Sequence, residues 1–256
     1  MVKFFKKILV SWLGREFVLV KILSVLKNSF TTFKTISKFN LKYSFMLIPK
    51  IISSQYIFEF QKKSQLNELK SNYDFNYKDW SSAKTRGMWR KSLSKINNIK
   101  YLEIGCFEGR SAMFIGEQQN TKEITCVDTF KGTEEQKGVD FNLVYNNCSK
   151  NLSSLSKIKT ELIKDTSDNF FSKTNDKFNL IYIDGYHVYE YVKKDFINSM
   201  KYLEKNGILI CDDFLWIYYK DPKDNPIMAI IECYEKYKDD LKIEFINYQI
   251  IFKKVT

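Results

Sequence analysis

The stretch Tyr101–Ser111, YLEIGCFEGRS, decides the fold. Tyr101 to Ile104 is apolar enough for a buried strand, and Gly105 and Gly109 follow it directly, ahead of a segment with helical periodicity. Glycine allows the backbone to turn sharply and to approach a ligand closely. A strand that passes through a glycine loop into a helix is typical of open α/β sheets, which bind ligands beyond the carboxyl ends of their strands.

The rest of the carboxyl-terminal part alternates strand-like and helical segments. Including the strand just described, five strands are predicted, each rich in β-branched or aromatic residues: Lys100–Ile104, Glu123–Asp128, Glu161–Lys164, Phe178–Ile183 and Gly207–Cys211. This alternation predicts a parallel sheet covered by helices on both faces. Leu241–Lys254 contains two strand-like runs joined tightly, which predicts a terminal antiparallel hairpin.

The basic charge is concentrated in the amino-terminal part of this 256-residue chain. Residues 1–70 contain 13 of the 41 Lys and Arg residues and 3 of the 30 Asp and Glu residues, so the remainder is almost neutral. We therefore expect 1–82 to form a basic, amphipathic, mainly helical extension with a linker at 71–81. Residues 83–256 are then the α/β domain. The five scattered cysteines have no CxxC spacing, which favours a reducing, cytoplasmic compartment.

The extension has apolar residues at helical spacing, interrupted by Arg15, Glu16 and Lys21, with no run long enough to span a membrane. One interpretation is that it packs on the α/β domain or on a second subunit of a homo-oligomer. The other is peripheral membrane contact through residues 1–70, with lysines such as Lys3 near anionic headgroups, joined by Lys6 and Lys7.

Acidic residues at the strand ends indicate a cationic cofactor. The loop has a G-x-x-x-G pattern rather than the G-x-G-x-x-G of dinucleotide sites, and it contains Glu103 and Glu108. Such acids repel a pyrophosphate and attract a sulfonium and an ammonium, so S-adenosyl-L-methionine is favoured over NAD. Asp128 ends the second strand, where an acid that binds ribose hydroxyls is expected. Asp165 follows the third strand, and its alternative role is a helix cap.

Five segments occur in one order across residues 101–254: YLEIGCFEGRS, VDTFKGTEE, FNLIYIDGYHVYEYVKKD, NGILICDDF and YQIIFKK. In these five segments the sequence resembles class I S-adenosylmethionine-dependent methyltransferases, in the branch that contains macrocin-type O-methyltransferases and cephalosporin-hydroxylase-like relatives. The resemblance implies a Rossmann-like, seven-stranded methyltransferase sheet. It also implies a transferase of the EC 2.1.1 type that methylates an oxygen of a small molecule, most naturally a sugar hydroxyl.

The resemblance also assigns roles around the loop. Glu103 and the loop residues Gly105, Gly109 and Ser111 would hold the methionine end of the cofactor, Asp128 the ribose and Asp165 the adenine. Asp184, Asp212 and Asp213 would bind Mg²⁺, with carboxylate ligands of the kind that this ion prefers.

Asp184 is also a candidate general base, and His187 either shuttles a proton or holds Asp184 in place. Asp195 is expected on the solvated face of the following helix. Because the chain has a single histidine, it cannot form an iron site of two histidines and one carboxylate.

Two other functions remain open at this point. A nucleic-acid methyltransferase would use the basic extension, but the α/β part is almost neutral and no NPPY-like motif follows the fourth strand. The second is a non-catalytic scaffold that binds the cofactor or is tethered to a membrane. The acceptor cannot be identified from the sequence.

Overall fold

The computed structural model describes residues 2–60, 69, 73–78, 83–134 and 136–256. Side chains are described within these ranges from residue 18 onward, except at 83 and 84. The expected headgroup contacts of Lys3, Lys6 and Lys7 therefore lie outside the described side chains. Of the linker expected at 71–81, only 73–78 is described.

A seven-stranded sheet with the order β3-β2-β1-β4-β5-β7-β6 forms the centre of the molecule. The first five strands in this order are parallel, and β7 runs antiparallel between β5 and β6. The strands are β1 Ile99–Ile104, β2 Thr121–Asp128, β3 Lys159–Lys164, β4 Phe178–Ile183, β5 Leu203–Cys211, β6 Leu241–Ile246 and β7 Ile250–Lys254. The predicted parallel sheet with its terminal hairpin is confirmed, and β5 begins at Leu203 rather than at Gly207.

Eight α-helices lie in the described part of the chain: α1 Val2–Phe39, α2 Leu41–Glu59, α3 Ala83–Leu93, α4 Arg110–Gly116, α5 Phe141–Ser153, α6 Ser167–Lys173, α7 Tyr189–Tyr202 and α8 Pro226–Tyr237. Side chains cap several of them. The Asp140 carboxylate accepts from the N–H of Asn142 at the start of α5, and the Thr166 hydroxyl accepts from that of Asn169 in α6. None of these helices is long and apolar enough to cross a bilayer.

Two apolar layers cover the sheet, because side chains alternate between its faces. From β1, Leu102 and Ile104 pack into one layer, whereas Ile99 and Tyr101 pack into the other. The first layer contains buried side chains of α2, α7 and α8, and the second contains those of α3, α4 and α5. This arrangement matches the predicted helices on both faces.

The second helix of the extension packs on the edge of the sheet. Tyr43, Leu47 and Ile51 join the first apolar layer. The Ser54 hydroxyl accepts a hydrogen bond of 3.0 Å from the N–H of Ile246 in the edge strand β6. A helix over an edge strand satisfies backbone groups that would otherwise be open to pairing with another chain. The extension therefore packs on the α/β domain, as one of the two interpretations expected.

Asp195 is not on a solvated helix face, contrary to the expectation from the sequence. Its side chain points to the sheet side of α7, where the residue is 3% exposed and a carboxylate oxygen lies near Gly185. Burial raises the pKa of Asp195 to about 7, and a hydrogen bond with Ser167 only partly opposes this. Apolar periodicity did not reveal this position because an acid occupies the buried stripe.

We expect the stability of the protein to fall as the pH rises from about 5 to 7, because folded Asp195 retains a proton that the unfolded chain has released. Asp195→Asn cannot ionise, so its stability relative to the wild type should increase by up to about 3 kcal/mol between pH 5 and pH 8. Urea unfolding at the two pH values measures the difference. Asp239→Asn, at an exposed acid, is the control and should show no such change. An equal effect of Asp195→Asn at both pH values would contradict the assignment.

Candidate active site at the strand ends

The ends of three neighbouring strands are aligned. Ile104 at the end of β1 pairs with Ile183 of β4, which pairs with Cys211 of β5. Backbone hydrogen bonds continue this alignment by one residue: Asp184 N–H donates to Ile104 and Asp212 N–H to Ile183, both at 2.9 Å. The chain leaves β1 in one direction and β4 in the other, so a crevice forms between these two strands, where such sheets bind ligands.

The loop after β1 approaches the loop after β4 so closely that only glycine fits. Gly105 has φ +84°, and a Cβ atom built on it would lie 2.1 Å from the carbonyl oxygen of Asp184. Gly109 has φ +79° and immediately precedes α4. The two glycines of Tyr101–Ser111 therefore shape the crevice, and the close contact at Gly105 sets the backbone position of Asp184.

Asp128 holds two strained loops in place. Phe107 and Phe130 have φ near +50°, and their N–H groups donate to the Asp128 carboxylate at 3.0 and 2.8 Å. Left-handed backbone at residues other than glycine costs free energy and is concentrated at functional sites. Burial raises the pKa of Asp128, and the backbone donors oppose the rise. Asp128, the residue expected to bind the ribose, thus lies at the end of β2, beside the crevice.

Glu103 is completely buried at the end of β1. The Ser111 hydroxyl donates to its carboxylate, and the role of Ser111 toward the cofactor stays a prediction. Burial raises the pKa of Glu103 well above its usual range. A cation bound nearby would oppose that effect and hold the carboxylate in its charged form.

Glu108 does not face the crevice, which corrects its expected part in attracting a cation. Its carboxylate accepts from the backbone N–H groups of Asn76 and Tyr77, at 2.7 and 3.1 Å, and from the Asn147 amide at 2.8 Å. Segment 73–78 is thereby fastened over the cofactor loop. The local sequence gave no sign of this pairing because the partners lie 31 to 39 residues away.

Asp165 has partners of its own after β3. Its carboxylate accepts from the backbone N–H of Thr166 and the Asn169 amide, both at 2.8 Å, and pairs with Lys173 at 3.2 Å. These contacts lower the pKa of Asp165. They are the local contacts expected of the capping alternative, and its role toward adenine stays a prediction.

Asp184, His187 and Asp213 form a group that could hold a metal ion. One ligand atom from each lies within 4.8 Å of the other two. His187 Nε2 is 2.8 Å from Asp213 Oδ2 and 3.6 Å from Asp184 Oδ1. The left-handed backbone of Asp213, with φ +51°, turns its side chain toward the histidine side of the rim.

Asp212 belongs to a different hydrogen-bond network, and the group that could hold a metal contains His187 where the sequence expectation has Asp212. Which of the two sets binds a metal stays a prediction. The Asp212 carboxylate accepts from Gln249 Nε2 at 2.7 Å, from the Asp213 N–H at 2.8 Å, and contacts the Tyr182 hydroxyl. Gln249 is oriented by Trp89, whose indole N–H donates to Gln249 Oε1 at 2.7 Å. Asp212 is thus held by Gln249 and Tyr182, whereas the Asp213 carboxylate contacts His187.

The two networks meet at Tyr182, whose hydroxyl is 2.9 Å from Asp184 Oδ2 and also contacts Asp212. Burial and the neighbouring Asp184 carboxylate raise the pKa of Asp212 well above its usual range. Burial raises the pKa of Asp184 to about 6, and the hydrogen bond with His187 opposes the rise. Because the pKa of Asp212 is raised the more strongly, Asp184 is the carboxylate of the pair that ionises more readily.

Reasoning from the sequence missed Tyr182, Gln249 and Trp89. Tyr182 carries a local signal, because it stands two residues before Asp184 and points to the same face of β4. Gln249 and Trp89 carry none, because their contacts join parts of the chain that are 160 residues apart. Tyr186 closes the rim on another side by donating to Glu134 at 2.8 Å.

Residues 102–214 match a family model described as "Methyltransferase domain". This part of the chain, less than half of its 256 residues, is therefore similar to methyltransferase domains. The match begins in β1 and ends just beyond Asp213, so the domain contains both the crevice and the acidic rim.

One curated relative is the "Uncharacterized protein R132" of Acanthamoeba polyphaga mimivirus, which is 28% identical over 151 residues. The alignment covers 56% of this chain and 66% of the viral protein, so about a third of that protein lies outside it.

Solved methyltransferases share the fold at low identity. The precorrin-6y C5,15-methyltransferase of Geobacter metallireducens is 10% identical with a TM-score of 0.52, and the alignment covers 75% of this chain and 98% of that one. The O-methyltransferase TomG of Streptomyces achromogenes, solved with SAM, is 11% identical with a TM-score of 0.46, over 67% and 77%. The likeness to the precorrin-6y methyltransferase shows a shared fold, and the macrocin-type branch stays a prediction.

We expect Gly105→Ala to destabilise the α/β domain severely, since its Cβ would overlap the Asp184 carbonyl. Gly138→Ala is the matched control: Gly138 also has a left-handed φ, +81°, but a Cβ there meets nothing within 4 Å. Backbone strain alone should lower the free energy of unfolding of the control by about 1 kcal/mol. Gly105→Ala should lower it several times as much. Thermal unfolding of both variants tests this, and equal losses would show that the close approach is not a constraint.

Proposed function

We propose that this protein transfers a methyl group from S-adenosyl-L-methionine to a hydroxyl oxygen of a small molecule, a sugar being the favoured class, with help from a divalent cation. The observation that carries the proposal is the group formed by Asp184, His187 and Asp213. It stands at the carboxyl ends of β4 and β5, beside the crevice where class I domains hold their cofactor.

The residues of the crevice fit a cationic cofactor. Glu103, Asp128 and Asp184 lie at the carboxyl ends of three adjacent strands, and burial raises the pKa of each. A sulfonium and an ammonium would offset the desolvation of these acids, whereas a pyrophosphate would increase the repulsion. Glu103 and the loop Gly105–Ser111 would lie at the methionine end and Asp128 at the ribose.

The metal group also fits its proposed role, with one change from the sequence expectation. One imidazole nitrogen and two carboxylate oxygens suit Mn²⁺ better than Mg²⁺, which favours oxygen ligands alone. A cation held there would make a bound hydroxyl more acidic. Because Asp184 and Asp213 are both drawn toward His187, the group also presents compact negative charge to a cation.

Asp184 is the residue best placed to take the proton of the acceptor. Its pKa of about 6 leaves it charged at neutral pH but more basic than an ordinary aspartate. Tyr182 fixes one carboxylate oxygen and leaves Oδ1 on the His187 side. The cofactor supplies an electrophilic methyl group, and the rim would align the acceptor oxygen with it, so that positioning supplies much of the acceleration.

A small molecule fits this rim better than a nucleic acid. Asp184 and Asp213 stand at the rim, with Glu134 on its Tyr186 side, and these carboxylates would repel a phosphate backbone. The basic surplus lies instead in residues 1–70. A neutral, hydroxyl-rich acceptor meets no such repulsion and can bind a cation through its oxygens.

We expect release of S-adenosylhomocysteine when the protein is incubated with Mn²⁺, labelled cofactor and a panel of free sugars and nucleotide sugars. EDTA should lower the rate at least tenfold. Asp184→Asn should lower it by about a hundredfold or more, since proton removal of this kind contributes 10²–10⁴. Undiminished turnover of Asp184→Asn would contradict its role as base, and full activity in EDTA would contradict the cation.

A Mn²⁺ titration of the purified protein separates the two candidate ligand sets without needing an acceptor. His187→Gln and Asp213→Asn should each weaken Mn²⁺ at least about tenfold, the usual loss for ligands and their supporting groups. Asp212→Asn is the matched control and should leave the affinity nearly unchanged, because its carboxylate is bound by Gln249 and Tyr182. If Asp212→Asn weakens Mn²⁺ as much as Asp213→Asn, the three-aspartate set is correct.

A further inference from the structure

An apolar stripe runs along the outer side of α1. Leu19, Leu23, Leu26 and Phe30 are each 56% to 67% exposed. Their spacing of four, three and four residues places them on one face of the helix. Large side chains are normally exposed singly, so four in a row on one face indicate a surface that is covered in use.

A second stripe on α2 continues the first. Leu41, Phe45, Ile52 and Tyr56 are 44% to 58% exposed and share one face of that helix. Phe33, the next position along the α1 stripe, makes an edge-to-face contact with Phe45 at 5.2 Å. The two stripes therefore join into one surface of the helical hairpin that α1 and α2 form. We call this surface the hairpin face, and it consists of Leu19, Leu23, Leu26, Phe30, Phe33, Leu41, Phe45, Ile52 and Tyr56.

The hairpin face is not needed to cover the protein's own domain. Other faces of the same helices do that, through Ile36 of α1 and through Tyr43, Leu47 and Ile51 of α2. Ser54 fastens α2 to β6. The pair of helices α1 and α2 is thus anchored on the domain and presents the apolar stripes elsewhere on its surface.

Basic residues border the hairpin face. Residues 18–60 contain six lysines and one acid, Glu59. Lys27, Lys34 and Lys38 are exposed, and their spacing of seven and four places them in one row beside the α1 stripe. An apolar face flanked by lysines has the charge and polarity pattern of helices that lie in the interface of an anionic bilayer.

We propose that the hairpin face binds the surface of an anionic lipid bilayer, with the helices in the membrane plane. The apolar stripes would enter the headgroup boundary, while the lysine stems reach the headgroups and keep their ammonium groups in water. A second copy of the chain fits less well, because pairing two hairpin faces brings two rows of lysines together. The helices lie on the membrane and do not cross it, in keeping with their polarity.

Vesicle flotation of the full chain tests the proposal. The protein should float with vesicles that contain about 30 mol% phosphatidylglycerol and stay unbound with pure phosphatidylcholine. Lys27→Glu/Lys34→Glu should lower the partition coefficient at least about tenfold, since each lysine at an anionic surface contributes roughly a fivefold factor. Lys122→Glu/Lys157→Glu, two exposed lysines of the domain, makes the same change in net charge and should float like the wild type.

A third variant, Leu23→Gln/Leu26→Gln/Phe30→Gln, tests the apolar contribution and should also lose flotation. Its thermal unfolding should match that of the wild type, because the three side chains are exposed. The proposal is overturned if the wild type fails to float, or if both lysine variants float equally. A concentration-dependent dimer in sedimentation that this variant abolishes, without vesicle binding, would assign the hairpin face to a second copy.

Discussion

The structure depends on one close backbone contact, between Gly105 after β1 and the carbonyl of Asp184 after β4. Strand pairing brings the two strand ends side by side, but only the absence of a Cβ at Gly105 lets the loops meet. That contact sets the width of the crevice and the backbone position of Asp184. It therefore links the fold, which the parallel sheet determines, to the acidic rim, where the proposed chemistry takes place.

Burial of acids is the second constraint, and it divides them into two groups. Asp212 is enclosed by Tyr182 and Gln249, so its raised pKa favours a proton and a structural role. Asp184 and Asp213 instead face His187 and remain available to a cation. Isolated buried carboxylates are costly. This cost agrees with the proposal that cations bind beside these acids, a sulfonium in the crevice and a divalent metal on the rim.

Much of the fold followed from the sequence, because short apolar strands alternate with helical periods and a tight hairpin ends the chain. The strand ends also placed Asp128 and Asp184 at one edge of the sheet, where the structure has them, since the carboxyl ends of parallel strands share one edge. Local patterns could not distinguish Asp212 from Asp213, because the choice depends on the left-handed backbone at Asp213 and on Gln249, which is distant in sequence. Glu108 and Asp195 were misplaced for the same reason: their partners are supplied by tertiary packing.

The central claim is that the crevice between β1 and β4 binds the methyl donor. Calorimetric titration of the full chain with S-adenosylhomocysteine, with Asp128→Asn as a comparison, tests this most directly. The account predicts saturable one-to-one binding by the wild type and at least about tenfold weaker binding by Asp128→Asn, the loss expected for charge-assisted hydrogen bonds to ribose. Absence of binding at high ligand concentration, or binding that Asp128→Asn leaves unchanged, would contradict it.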